Sequence, residues 1–282
     1  MPVKILSIQS SVAYGHVGNS AAVFPLQRLG HEVWPVSTVV FSNHTGYGAW
    51  RGPLLAPDDV AAVVTGIAER GVLGSCDAVL SGYQGGAGIA SVILDAVEQV
   101  KAANPAATYT CDPVMGNATS GCFVDPAIPP IIRELVVPRA DIITPNQFEL
   151  GFLTDTSPVS LASTLESADL ALAMGPSTVL VTSVLFTEGS IGMLAVDGDG
   201  AWLVETPRLP MKANGSGDIT AALFTAHLHE TGSAASALAR TASSVFAVLK
   251  ATLESGEREL RLIAAQDAIA HPECEFEVRQ VR

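Results

Sequence analysis

A chain of 282 residues, 48% of them hydrophobic, has enough material for one large α/β domain or two smaller ones with sizeable cores. Its 15 Lys and Arg stand against 28 Asp and Glu, a net charge of −13 with no basic cluster, which argues against nucleic-acid binding because phosphate neutralisation needs gathered cations. Cys76, Cys111, Cys122 and Cys274 show no CxxC pairing and no zinc-ligand spacing, and no run has the length of a signal peptide or a membrane span, so reduced thiols, a cytoplasmic location and no membrane partner are expected.

Residues 3–8, VKILSI, read as a first strand: short, β-branched and apolar almost throughout, as suits a strand buried on both faces of a parallel sheet. It runs into Gln9, Ser10 and Ser11, then YGHVGN, before a helix over 19–29. Ser10 stands at the carboxyl end of that strand, where open α/β sheets bind ligands; its plainer role is a turn or helix-entry hydroxyl. A second strand, 33–41, leads into SNHTGYGAW, which gathers His44, Thr45, Tyr47 and Trp50 among glycines, more recognition chemistry than a passive connection needs. A helix over 57–70, a strand over 77–82 and a helix over 86–102 follow. GGAGIAS within them partly matches a dinucleotide fingerprint, but Ser91 takes the third glycine's place and no acid follows at ribose-binding distance, so it is discounted. The strand over 108–112 ends in Asp112 at a crevice position, Pro113 stops it, and a flexible GNATSGC loop comes next.

Residues 141–144 form a short strand and PNQFE opens a helix, with Asn146 and Glu149 at capping-box spacing. An acid at Glu149, beside the strand of Asp112, is also placed to order Mg²⁺ through water. A helix over 160–174 and a strand over 178–183 precede IGMLAV and AWLVET, a hairpin joined by DGDG; Asp197 and Asp199 belong to the turn, since the rest of a calcium loop is missing. The stretch KANGSGDITAALF then reads as a loop feeding a helix N-terminus, where unpaired N–H groups and the helix dipole favour an anion. Gly215, Ser216 and Gly217 leave that anion room, and Asp218 in the first turn is a base for an attacking hydroxyl; phosphoryl transfer needs both. Helices over 219–230, 234–254 and 260–270 and an extended tail complete the chain, and His227 and His229, two apart, face different ways and are poor joint metal ligands. Strands alternate with helices without a linker, repeat or composition break. One domain over 1–282 is expected, α/β, with a central mostly parallel sheet flanked by helices on both faces.

The segments ILSIQS with YGHVGNSAA, VVFSNHTGYGAW, DAVLSGY, CDPVMG, TPNQFE and GSGD together make the chain resemble the ribokinase-like superfamily and, within it, the bacterial pyridoxal kinases of the PdxY type. GSGD alone marks the superfamily, whereas the Ser10 loop with SNHTGYG is narrower and points to a pyridoxal-type ring. The resemblance implies a ribokinase-like fold, ATP-dependent phosphorylation of the pyridoxal 5′-hydroxyl, Mg²⁺ as cofactor and a homodimer. It makes Asp218 the base and Gly215, Ser216 and Gly217 the anion hole; Ser10 would bond the ring, His44, Thr45 and Gly46 would frame it, and Tyr83 would close one side. Asp112, Thr144 and Glu149 would lie along the ATP phosphates, with Asp112 and Glu149 at the metal. Thr182 stands where some members carry a lysine near the nucleotide phosphates, so ATP handling would lean on backbone and metal. Cys122 sits in the loop after Asp112, from which a thiol can add reversibly to an aldehyde; its plainer role is a small apolar residue. Two other functions share parts of this pattern: a hydroxymethylpyrimidine or sugar kinase, which also carries GSGD, and a non-catalytic carrier of pyridoxal or its phosphate, against which the intact Asp218, Asp112 and Glu149 count.

Overall fold

Strands covered on both faces need apolar side chains at successive positions, and this chain supplies them in short runs. In the computed structural model, which describes residues 2–282, they form β1 (Lys4–Val12), β2 (Glu32–Phe41), β3 (Ala78–Ser81), β4 (Thr108–Cys111), β5 (Gly116–Asn117), β6 (Gly121–Cys122), β7 (Ile142–Ile143), β8 (Thr178–Val184), β9 (Ser190–Asp197), β10 (Gly200–Pro207) and β11 (Val278–Gln280). β5 and β6 make a small antiparallel ribbon. The others form one nine-stranded sheet in the order β11-β10-β9-β8-β7-β4-β3-β1-β2, parallel from β2 to β8 and antiparallel from β8 to β11.

The helices are α1 (Asn19–Arg28), α2 (Pro57–Ala68), α3 (Ile89–Ala103), α4 (Ile128–Ile131), α5 (Gln147–Thr154), α6 (Leu161–Leu172), α7 (Ser216–Thr231), α8 (Ala234–Ser255) and α9 (Gln266–Ala270). They divide by strand alternation. Leu6 and Ile8 point to the face packed by α2, α3, α5 and α6, while Ile5, Ala78 and Leu80 point to the face packed by α1 and α7. α7 is buried from Ile219 to His227 without a break, as befits a helix enclosed by α1, α8 and the sheet.

Several boundaries differ from the sequence-based expectations. The expected loop after Asp112 contains the β5–β6 ribbon, the stretch 128–139 is helical where no element was expected, and the extended tail pairs with β10 as edge strand β11. The last helix is shorter than 260–270 and begins at Gln266: Leu260 and Leu262 are both buried at a spacing of two, which extended chain provides and a helix does not. α7 begins at Ser216 instead of 219, drawing the GSGD residues into the helix start itself.

Candidate active site

α7 begins on Gly215, whose φ of 88° is open to glycine at little cost. A side chain here would also strike the carbonyl oxygen of His16, so the loop of residues 15–18 lies directly on the helix start. No side chain caps α7, leaving its first-turn N–H groups for a ligand. Gly18, at φ 53°, sits against the carbonyl and hydroxyl of Ser10, and its N–H reaches the carboxyl of Asp218. β1, the glycine loop and α7 thereby bring Ser10 and Asp218 to one place.

That place is a cavity of about 430 Å³ lined by Ser10, His44, Thr45, Gly46, Tyr83 and Asp218, all six expected at a substrate site, with Val12, Val17, Phe41 and Trp50 adding apolar wall. Asn117, Ser120 and Phe123 of the ribbon region close over it. Beyond the α7 N-terminus lies a second cleft, whose lining includes Thr182, Ser183, Ser216 and Gly217 together with Met193, Val245, Phe246 and Leu249. None of the residues forming it is basic. The helix start thus stands between a ring-sized pocket and an apolar cleft, with Asp218 facing the first and Gly217 the second.

Three carboxyls converge behind this point. Asp112 follows β4, 6% exposed, and a Cβ on Gly217 would lie 3.9 Å from its Oδ2. Burial, then the charges of Glu149 and Asp218, push the Asp112 carboxyl well above its usual range. Glu149 is 4% exposed and completes the capping box with Asn146: its Oε2 accepts the Asn146 N–H at 2.9 Å, while Oε1 accepts those of Met115 at 2.9 Å and Gly116 at 3.3 Å. Burial still raises it to about 7 against those three bonds. Asp218 is also raised, chiefly by burial, with the N–H groups of Gly18 and of Asp218 itself opposing, and His44 after them. Thr144, after β7, is buried, and its hydroxyl faces the Asp112 carboxyl, where it opposes that upward push.

Such a set fits a hard divalent cation. Crowded carboxylates disfavour one another's charge, and a cation relieves that. Among the described residues no three His, Cys, Asp or Glu are arranged as a ready metal cage. Mg²⁺ accepts that situation, taking one or two carboxylates and completing its shell with water and phosphate. Glu149 has most of its lone pairs committed to backbone and could reach a cation only through water, whereas Asp112 is the more available oxygen donor.

The sequence model of the phosphomethylpyrimidine kinase family matches residues 73–262. A pyridoxal kinase PdxY from Leifsonia xyli is 69% identical over 282 residues, spanning 99% of this chain and all of the relative. The chain belongs to the pyridoxal kinase family. The pyridoxal kinase PdxY of Corynebacterium diphtheriae is 60% identical with the same coverage. Among solved structures, the pyridoxal kinase from Leishmania donovani in complex with ADP and pyridoxamine superposes with a TM-score of 0.92 at 29% identity, over 99% of both chains. The sheet and its two helix layers are accordingly the ribokinase-like fold of the pyridoxal kinases.

Within this pyridoxal kinase, Cys122 does not line the cavity, contrary to the sequence-based expectation. It pairs with Gly116 across the ribbon and is exposed, whereas its neighbour Phe123, itself 47% exposed, borders the cavity; adjacent residues of extended chain face opposite ways. Thr182 borders the second cleft beside Ser183, which takes a left-handed φ of 58°, and its N–H is held by the Pro145 carbonyl at 2.9 Å. His227 and His229 part as expected, toward Glu230 and Thr108 respectively. Glu259 was missed. It touches the His44 ring, the Tyr47 hydroxyl and the His16 N–H, and no local motif marks it, because its partners lie more than 200 residues away.

Proposed function

We propose that the protein transfers the γ-phosphoryl group of ATP to the 5′-hydroxyl of pyridoxal, yielding pyridoxal 5′-phosphate and ADP. The observation that carries this is the start of α7, which stands between a ring-sized pocket and an apolar cleft and presents Asp218 toward the pocket. Pyridoxal occupies the pocket, with Ser10 bonding its ring, His44, Thr45 and Gly46 framing it and Tyr83 closing one side. ATP lies in the cleft, its base among Met193, Val245, Phe246 and Leu249 and its phosphates by Thr182 and Gly217, on the side where Asp112, with Thr144 and Glu149 beside it, approaches Gly217.

Asp218 takes the proton of the 5′-hydroxyl, the freed oxygen bonds the γ-phosphorus, and the bond from that phosphorus to the bridging oxygen of ADP breaks. A carboxylate with a raised pKa is the stronger base, and burial raises that of Asp218. The first-turn N–H groups at Gly215, Ser216 and Gly217 are fixed before reaction and receive the charge on the transferring oxygens. Asp112, and Glu149 through water, would hold Mg²⁺, which supplies charge neutralisation to the phosphates.

The family implies a homodimer. The use of ATP favours a cytoplasmic protein, and among the described residues no helix is long and apolar enough to cross a membrane. ADP release should be measured with pyridoxal, pyridoxine, pyridoxamine, hydroxymethylpyrimidine and ribose. Turnover with the pyrimidine or the sugar but none with the three vitamers overturns this assignment, and tight pyridoxal binding without ADP release makes the protein a carrier.

A further inference from the structure

Glu259 lies between α8 and α9 with its carboxylate 12% exposed. Oε1 accepts the Tyr47 hydroxyl at 2.7 Å and stands 3.0 Å from His44 Nε2, and Oε2 accepts the His16 N–H at 3.0 Å. Burial opposes its charge, but the bonds from Tyr47, His16 and His44 prevail and hold its carboxyl below the usual range. Arg258 beside it donates to the Gly46 carbonyl at 2.7 Å and covers the Tyr47 ring at 3.7 Å. Two successive residues therefore clasp both loops that frame the ring pocket, 14–18 and 44–47.

An ionised carboxylate only accepts hydrogen bonds, so the His44 nitrogen facing it must carry the hydrogen. In the neutral ring this leaves Nδ1 as an acceptor. That atom lies toward Gly46 and Asn214, both of which line the cavity: a Cβ on Gly46 would be 2.9 Å from it and 3.5 Å from Asn214 Oδ1. Among the described residues His44 bonds through Nε2 and its Nδ1 has no hydrogen-bond partner, and Asp218 lines the same cavity.

We propose that Glu259 is a positioning residue of the substrate site, locking His44 in the Nε2–H tautomer so that Nδ1 accepts a hydrogen bond from an O–H or N–H of the ring substrate. The part concerning substrate rests on the pyridoxal kinase reading; the tautomer does not. In protein labelled with ¹⁵N-histidine and free of ligand, His44, assigned by its loss in His44→Ala, should show a protonated Nε2 and a bare Nδ1. Glu259→Ala should replace that pattern with an average of both tautomers. A hydrogen on Nδ1 in the wild type overturns the proposal.

The binding arm compares Glu259→Ala, His44→Ala and the double variant. Glu259→Ala should weaken pyridoxal about two- to tenfold, the scale of one hydrogen bond between neutral partners, with ATP affinity changed less than about twofold. In the His44→Ala background the same substitution should add less than about twofold, since the effect runs through the ring. Additive losses, or equal losses for both ligands, mean that Glu259 merely packs the loops and overturn the proposal. Glu259→Gln keeps an amide oxygen for Nε2–H and should recover most of the pyridoxal affinity; it also serves if the alanine variant fails to fold, and Gln as damaging as Ala counts against the tautomer lock. Wild-type protein that binds no pyridoxal sinks the kinase reading and leaves the labelling result standing.

Discussion

Replacing Asp218 with Asn removes a base while keeping the shape of the side chain, and its effects on rate and stability should oppose each other. A positioned general base contributes about 10²–10⁴ in rate, so kcat should fall by that factor, equivalent to roughly 3–5 kcal/mol of barrier, while the pyridoxal KM moves little. Stability should hold or rise, because the Asn oxygen still accepts the Gly18 N–H while one of three crowded charges beside Asp112 and Glu149 disappears. All three carboxyls have raised pKa values in the folded chain. Between the unfolded value, 3.8 for Asp or 4.5 for Glu, and the folded one, about 7 for Glu149, the native state keeps protons that the unfolded state has shed. Stability of the metal-free protein therefore falls as pH rises through that window and is greatest below it. Each pKa unit of relief is about 1.4 kcal/mol, and 1 kcal/mol corresponds to about 2–4 °C in Tm for a chain of this size. Coupled ADP-release assays and melts at pH 5 and pH 8 without Mg²⁺ read both effects. A kcat within about threefold of wild type in the folded variant refutes the base assignment, and a Tm several degrees lower at pH 8 makes the carboxylate a structural one.

Ser10→Ala should weaken pyridoxal by roughly 0.5–3 kcal/mol and spare ATP, read by calorimetric titration; equal losses return the hydroxyl to a turn role. Asp112→Asn should raise the Mg²⁺ needed for half-maximal rate, since a hard cation prefers a charged oxygen, and an unchanged titration would remove Asp112 from the metal site. Cys122→Ser should leave kcat and pyridoxal KM within about twofold, because the thiol lies outside the cavity lining; a larger change, confined to pyridoxal and absent with pyridoxine, would show that the ribbon turns it inward.

Much of the fold could be read from runs that carry their own signal. VKILSI and STVLVTS are apolar enough to be interior strands, and the Asp197–Gly200 turn forces a hairpin whatever surrounds it. Gly215 to Asp218 were legible because an anion site at a helix start needs small residues and unpaired N–H groups in sequence. What stayed hidden depends on partners far away. Val278–Gln280 becomes a strand only because β10 offers an edge, and the direction in which Cys122 faces is set by pairing with Gly116. Glu259 lies in irregular chain, and nothing near it announces that its partners are His16, His44 and Tyr47. The cleft of Met193, Val245 and Phe246 is likewise built from ordinary core-type residues of β9 and α8, which no motif separates from packing.

The clasp of Arg258 and Glu259 on residues 16 and 44–47 also bears on how the enzyme matures at the ribosome. The strands and helices nearest the start of the chain can pair early, yet the pocket they border stays unfastened until more than 200 further residues have been made and folded back. A ligand stabilises a state in proportion to its affinity for it, so pyridoxal should protect the chain more once that segment is in place.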